Sequence, residues 1–472
     1  MNRQPAIRNR EERATARPAH APLDVQNFID SQKFSPYQWI VLALCFLVVA
    51  ADGFDTATIG FIAPSLLDQW HISHAALGPV MSAALVGLGI GALVAGPIAD
   101  RIGRKTVLVL SVFFFGAWSL ASAHANSVES LTVLRFLTGL GLGAAMPNAV
   151  TLMSEYAPAR IRAIVVNAMF CGFSVGLSIG GVSSAWLIPH FGWASVLVAG
   201  GLGPLVLTAL LVLLLPESAQ FMVVRNRPAA AVAKVLRRIT ADPRLADCSF
   251  VAVDSSELDS DRSALSIVLS HKYRLGTVML WLAYFMGLVI FYLLTNWLPT
   301  IFRDAGFDVR HAALMTSLFP LGGVVGNLCL GWVMDRANAR HVISITYVLA
   351  ATLVLLTGWR IGGEAWLGVL IFLTGTAVTS AVTSMSALAA NFYPTRGRAT
   401  GVAWMLGIGR MGAVTGALAG AMLMSMNLPF GAVFSLLAAP AAVAAVALGA
   451  MGLRDTKNAL HAVQPVLDAQ AD

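Results

Sequence analysis

Asp52 and Asp55 stand near the middle of an otherwise apolar stretch that runs from Trp39 to Leu66. A carboxylate at that depth in hydrocarbon costs several kcal/mol, so it persists only where it faces protein or a water-filled path. Three residues apart on a helix, the two share one face, and Thr56 follows Asp52 by one turn on the same side. Two acidic groups on one buried face can take up and release protons as the path opens to one side or the other. A water-lined structural network with no proton turnover is the other reading. None of the nine histidines competes for the task, because all lie in tails, loops or span ends.

Two arginines also fall inside apolar runs, Arg135 and Arg410. A guanidinium holds a carboxylate with two parallel N–H donors and lays its plane against an aromatic ring. Arg410 is placed near the bilayer midplane by its distance into its helix, at about 1.5 Å rise per residue. It is expected to clamp the carboxylate of a cargo molecule, or else to form a structural ion pair with Asp52 or Asp55. Arg135 is shallower, and two roles stay open for it: binding and coupling, or snorkelling to the surface as an anchor. Tyr284, Tyr292 and Asn296, with Phe285 and Phe291, are candidates to floor a pocket, and Asn167 and Asn327 are further polar candidates.

The elements that would position these groups follow from composition. Of 472 residues, 57% are hydrophobic and 12% charged, which excludes a soluble domain of this length. With about 20 apolar residues per bilayer crossing, twelve spans are predicted: 38–66, 75–99, 105–125, 130–156, 162–189, 193–215, 274–300, 311–334, 341–360, 365–391, 398–424 and 429–453. Tryptophans at span ends suit the interface, and abundant glycine suits close helix packing. The four cysteines show no paired spacing, so neither a disulfide framework nor a zinc site is expected. The Gly407–Gly412 match to a dinucleotide fingerprint lies in a span with no preceding strand. His71 and His74 lack a third ligand. No nucleophile and base pair, metal cluster or cofactor loop marks an enzyme, and no cofactor is expected beyond H+ as the coupling ion.

Charge gives the orientation. Arg303, Arg310 and Arg360 fall on one side and Arg135 and Arg410 inside spans, while the rest of the 31 Lys and Arg fall in the tails and the loops of the other side. By the positive-inside rule both termini are cytoplasmic, which implies a multi-pass protein of the cell inner (plasma) membrane. The basic balance then reflects anionic lipid and not nucleic acid. The predicted organisation is a disordered cytoplasmic tail (1–37), a six-helix bundle (38–216), a cytoplasmic linker (217–273), a second six-helix bundle (274–453) and a cytoplasmic tail (454–472).

The two bundles are copies. Gly96-Pro-Ile-Ala-Asp100-Arg101 after the second span recurs as Gly331-Trp-Val-Met-Asp335-Arg336 after the eighth. Pro158-Ala-Arg160-Ile-Arg162-Ala163 recurs as Pro394-Thr-Arg396-Gly-Arg398-Ala399, and Phe136-Leu-Thr-Gly139 as Phe372-Leu-Thr-Gly375. A parallel repeat of six spans binds cargo at the midplane between halves. The buried charges break this symmetry: Arg410 matches Ser174, Arg135 matches Ile371, and Asp52 and Asp55 fall near Gly287 and Ile290. Packing needs are common to both halves, whereas a cargo and a proton are not, which marks these four residues as the functional set.

Gly96-Pro-Ile-Ala-Asp100-Arg101-Ile-Gly-Arg104-Lys105 resembles the loop signature of the major facilitator superfamily, and Arg135-Phe-Leu-Thr-Gly139-Leu-Gly141 its fourth-helix motif. Within it, Asp52-Gly-Phe-Asp55-Thr, Gly60-Phe-Ile-Ala-Pro64, Leu77-Gly-Pro-Val-Met-Ser82 and Gly401-Val-Ala-Trp-Met-Leu-Gly-Ile-Gly-Arg410 resemble the aromatic acid:proton symporters, with hydroxybenzoate-type permeases the nearest likeness. The resemblance covers about residues 35–455 and implies an all-α membrane protein of twelve transmembrane helices in two pseudo-symmetric halves. It implies import of an aromatic carboxylate with protons, in a chain that functions as a monomer in the lipid bilayer, and it lands on Asp52, Asp55, Arg135 and Arg410.

Asp100, Arg101, Arg104 and Glu155, with Asp335, Arg336, Arg396 and Arg398, are expected to form a cytoplasmic gate, several weak ion pairs together biasing an equilibrium. The plainer reading is a topology signal and a tight turn. The second-half loop departs from the signature at Ala337, Asn338 and Ala339. Two other functions fit the same fold: a proton-driven antiporter exporting an organic anion or drug, and an importer of a non-aromatic organic acid. Exporters tend to carry Gly-Pro-x-x-Gly-Gly in the fifth helix, where this chain has Gly176-Leu177-Ser-Ile-Gly180-Gly181, which leans toward import.

Overall fold

The computed structural model describes residues 23–240, 242, 245, 248–251, 264–334, 336–359, 363–393 and 395–451. Strand β1 (Leu23–Asp24) and helix α1 (Val25–Ser31) precede the first half. That half is built from α2 (Pro36–Trp70), α3 (His74–Ile102), α4 (Arg104–Ser122), α5 (Val128–Tyr156), α6 (Arg162–Phe191) and α7 (Ala194–Leu214). Short elements follow: α8 (Ala219–Val224), α9 (Ala229–Leu236), β2 (Phe250–Val251) and α10 (Ala264–Val268). The second half comprises α11 (Arg274–Asp304), α12 (Val309–Met334), α13 (Ala339–Gly358), α14 (Gly363–Phe392), α15 (Thr395–Ser425) and α16 (Phe430–Met451). Among the described residues, 12 helices are long and apolar enough to cross a membrane.

The segment just ahead of the first span is not the disordered tail that its composition suggested. Leu23 pairs in parallel with Phe250 in β2. Asp24 caps α1 by accepting from the Asn27 amide at 2.7 Å, and Val25, Phe28 and Ile29 are buried in one cluster with Val232, Leu236 and Ile239. Apolar residues at i, i+3 and i+4 behind a capping Asp are a short amphipathic helix, a signal masked by the polar residues around it. The Asp30 carboxylate accepts from the Ala159 amide at 2.8 Å and Arg160 donates to the Gln32 carbonyl at 2.9 Å, which ties α1 to the turn between α5 and α6. Residues 1–22 and 452–472 lie outside the described residues.

The duplication read from the sequence recurs in the packing. A Cβ on Gly139 of α5 would run into the Ala84 carbonyl of α3, and one on Gly375 of α14 would run into the Phe319 carbonyl of α12. Gly139 and Gly375 close the matching Phe-Leu-Thr-Gly motifs, so the repeated glycines set the same close helix approach twice.

Among the described residues, the main crossings between the halves are α2 with α11, α6 with α12 and α3 with α15. A Cβ on Gly60 would stand 2.7 Å from the Asn296 carbonyl oxygen, one on Gly181 2.7 Å from the Ser317 Cβ, and one on Gly78 3.0 Å from the Ala421 Cβ. All three crossings lie toward the face that carries the Trp70–His74 turn, and away from the arginine-rich loops after α3 and α12, the basic face. An ion pair and a histidine–carboxylate contact join the halves at the same far face, Arg303 with Asp68 at 3.4 Å and His74 with Asp304 at 3.2 Å. Among the described residues no ion pair joins them at the basic face, so the molecule is closed at the far face. Gly60→Leu is expected to prevent this closure: spin labels at His71 and Arg310 should move apart in the variant. An unchanged distance distribution would show that the crossing adapts.

Candidate functional site

Asp55 and Arg135 form one unit. The Arg135 Nη1 and Nη2 donate to the two carboxylate oxygens of Asp55 at 2.9 and 2.7 Å, and Nη2 also reaches the Asp55 carbonyl at 3.3 Å. Ser119 of α4 donates from Oγ to Oδ1 at 3.0 Å. Asp55, Arg135 and Ser119 are each 0% exposed. Arg135 therefore does not snorkel, and the anchor reading is overturned: its helix face turns toward α2, where the carboxylate meets it. Planar two-point pairing in a low-dielectric interior is among the stronger polar contacts, and losing one partner leaves a buried charge uncompensated. The Arg135 Nε has no hydrogen-bond partner among the described residues.

Asp52, one turn earlier on α2, is 2% exposed. Its hydrogen-bond partner among the described residues is Thr56 at 3.4 Å, a long contact. The two carboxylates that looked equivalent in sequence are therefore different: Asp55 is locked by a cation, while Asp52 has no ion-pair partner among the described residues. The guanidinium of Arg410, in the other half, acts on it electrostatically.

Arg410 lies near the middle of α15, half-buried. No carboxylate of the described residues stands within ion-pair distance of it, so the structural ion pair with Asp52 or Asp55 is not formed. It lines a cavity of about 780 Å³ between α3 and α15, and it acts electrostatically on the phenols of Tyr284 and Tyr292. Those tyrosines, both buried, reach the guanidinium because α11 packs very close to α15. A Cβ on Gly412 or Gly416 would run into the carbonyls of Phe285 and Val289, and the Trp297 indole N–H donates to the Ala417 carbonyl at 2.9 Å. Phe291 of α11 faces Phe173 of α6 with ring centroids 6.4 Å apart, which puts an aromatic pair across the halves. Asn296 is buried at the Gly60 crossing, one turn beyond Tyr292.

The expected gate residues are only partly brought together. Arg104 pairs with Asp100 at 2.9 Å and approaches Glu155 at 3.7 Å, all within the first half. Arg101 and Arg398 are exposed, and Arg336 folds back over the Trp332 ring at 4.0 Å. Asp335 and the side chain of Arg396 lie outside the described residues. Among the described residues, none of these contacts joins the two halves.

Two residues were missed in the sequence. Ser119 is one of many serines in apolar helices, and only the fold shows that it meets Asp55. Glu217, just after α7, accepts from the Lys105 amide at 3.0 Å and the Ser218 amide at 2.9 Å, capping α4 beside the loop signature. The repeat adds a test of necessity. By the offset that joins the copies, Asp55, Arg135 and Ser119 correspond to Ile290, Ile371 and Val354, which are 0%, 1% and 0% exposed in the apolar core of the second half. The same scaffold position is filled by hydrocarbon in one half and by an ion pair in the other.

Comparison with known proteins agrees with this architecture. The family model described as Major Facilitator Superfamily matches residues 45–314 and 280–466. The 4-hydroxybenzoate transporter PcaK of Pseudomonas aeruginosa is 52% identical over 436 residues, 92% of this chain and 97% of that protein. The gallate transporter of Pseudomonas putida is 48% identical over 424 residues, 90% and 94% of the two chains. In fold, the chain is similar to the inward-open xylose transporter XylE of E. coli, with a TM-score of 0.69 at 17% identity, covering 87% of this chain and 95% of that one. With twelve membrane-length helices among the described residues, in two matched halves, the chain belongs to the Major Facilitator Superfamily, and within it to the aromatic-acid permeases.

Proposed function

We propose that this protein imports a hydroxybenzoate-like aromatic carboxylate together with protons by alternating access. The observation that carries the reading is Arg410: a guanidinium near mid-membrane, with no ion-pair partner among the described residues, opening on a cavity of about 780 Å³ beside Tyr284 and Tyr292. The likeness to transporters of 4-hydroxybenzoate and gallate supports the substrate class. The basic face is taken as cytoplasmic by the positive-inside rule, so the conformation described is inward-facing, and the gate of Asp100, Arg104 and Glu155 with the second-half arginines closes in the opposite state.

The roles of the two acids differ. Asp55 is held by Arg135 and Ser119 and fixes α2 against α5. Asp52 carries the proton. When protonated, it no longer competes for Arg410, and the guanidinium is available to the substrate carboxylate. When the cavity opens to the cytoplasm and Asp52 loses its proton, the renewed anion draws on Arg410 and weakens its hold on the substrate. Proton and anion are thereby linked without touching, by competition for one cation. Import of an anion against a negative interior costs about 2.3 kcal/mol per charge per 100 mV, which a co-transported proton offsets.

In proteoliposomes with an imposed pH gradient and labelled hydroxybenzoate, Asp52→Asn is expected to abolish accumulation while counterflow exchange continues. The neutral amide mimics the protonated acid, so substrate still binds and the halves still rock. Gradient-driven accumulation by Asp52→Asn would remove the proton role. Loss of exchange as well would make Asp52 a binding group rather than a coupling one.

A further inference from the structure

The cavity at Arg410 has walls of an unusual kind for a path meant for a polar solute. From α3 it is lined by Leu85, Val86, Gly89, Ile90 and Leu93, and from α15 by Leu406, Gly407, Met411 and Val414; Arg410 is its one charged lining residue. Several of these side chains are exposed, Leu93 79% and Met411 66%. The helices touch at Gly78 and Ala421, near the far face, and diverge below that crossing. Gly89 and Gly407 sit on opposite walls, and a Cβ on either would meet nothing within 4 Å. The gap is therefore an exposed, largely apolar slot at mid-membrane depth with a guanidinium along it.

We infer that this slot admits a single-chain fatty carboxylic acid from the bilayer, its chain along α3 and α15 and its carboxyl group on Arg410, in competition with the aromatic substrate. The inference rests on the assignment of Arg410 as carboxylate clamp. Charge complementarity selects the occupant: an apolar groove with one cation matches a long hydrocarbon chain ending in one acid group. Depth selects it further. A phospholipid head dragged to the middle of the membrane loses its hydration, whereas a carboxylic acid reaches that level as the neutral acid. Its carbonyl oxygen accepts from the guanidinium in either protonation state. Free fatty acid in the membrane would then act as a brake on uptake.

The test uses the full chain in proteoliposomes and a dodecanoic acid carrying a diazirine in its chain. Illumination is expected to label peptides spanning residues 85–93 and 403–415, excess dodecanoate to suppress both label and hydroxybenzoate binding, and methyl dodecanoate to do neither. Gly89→Phe fills the slot from a position where its side chain meets open space. It should weaken dodecanoate competition by about tenfold, close to 1.4 kcal/mol, and by more than it weakens hydroxybenzoate binding. Val86→Trp narrows the same wall and serves if the glycine variant does not fold. Competition by the methyl ester equal to that by the acid, labelling elsewhere, or dodecanoate competition unaffected by both variants would overturn the inference. So would stronger competition by a two-chain phosphatidylglycerol. Normal hydroxybenzoate binding with no dodecanoate effect removes the slot alone, while hydroxybenzoate binding that ignores Arg410→Ala removes the clamp beneath it.

Discussion

Arg135→Ala is expected to destabilise the protein by about 3–5 kcal/mol, because it strands the buried Asp55 carboxylate where no other cation of the described residues pairs with it. The triple variant Asp55→Ile, Ser119→Val, Arg135→Ile should recover most of that loss. Those are the residues that stand at the repeated positions of the second half, where Ile290, Val354 and Ile371 are packed in the apolar core. Replacing a buried ion pair by well-packed hydrocarbon is often neutral or stabilising, whereas removing one member is not. Thermal unfolding of the purified protein in detergent distinguishes the variants. Recovered stability without transport would show that the pair is kept for function. A triple variant as unstable as the single one would show instead that the first half needs the charge to fold.

Arg410→Ala should weaken hydroxybenzoate binding by between about 30-fold and about 3,000-fold, since truncating one partner of a buried charge pair costs about 2–5 kcal/mol and each 1.4 kcal/mol is tenfold. Stability should change little, because no ion pair of the described residues depends on this guanidinium. Arg410→Lys keeps the charge but loses the fork and the planar face, so its affinity should fall between wild type and alanine. Equilibrium binding of labelled substrate to each variant gives the order. Affinity unchanged in Arg410→Ala would exclude the clamp.

The fold was legible because a bilayer leaves the chain few options: apolar runs of the right length become spanning helices, and a duplicated loop signature fixes their grouping. The matching approaches at Gly139 and Gly375 were present in the repeated motif before any coordinate. The site was legible as a set of four charges but not as a circuit. Nothing in the spacing of Asp52 and Asp55 says which of them meets Arg135, because the outcome depends on how α2 rotates against α5. Ser119 was invisible for the same reason. Residues 23–31 were misread because a seven-residue amphipathic helix gains its stability from the linker segment it packs on, far away in sequence. The gate was read as one cluster because sequence does not specify which of two arrangements of the halves is populated.

The tight seam between α11 and α15 has a consequence for how selectivity is inherited. Gly412, Gly416 and the Trp297–Ala417 hydrogen bond weld the guanidinium to the tyrosines beside it, so these groups travel as a single jaw whichever side is open. On the proposed function, recognition of the ring and its acid is then a property of that jaw, common to loading and unloading. On the proposed coupling, the direction of travel is decided by the opposite jaw, where α2 brings or withholds one negative charge. Retargeting the carrier to a different aromatic acid therefore calls for changes on α11 and α15, and those changes should leave its energetics of accumulation intact.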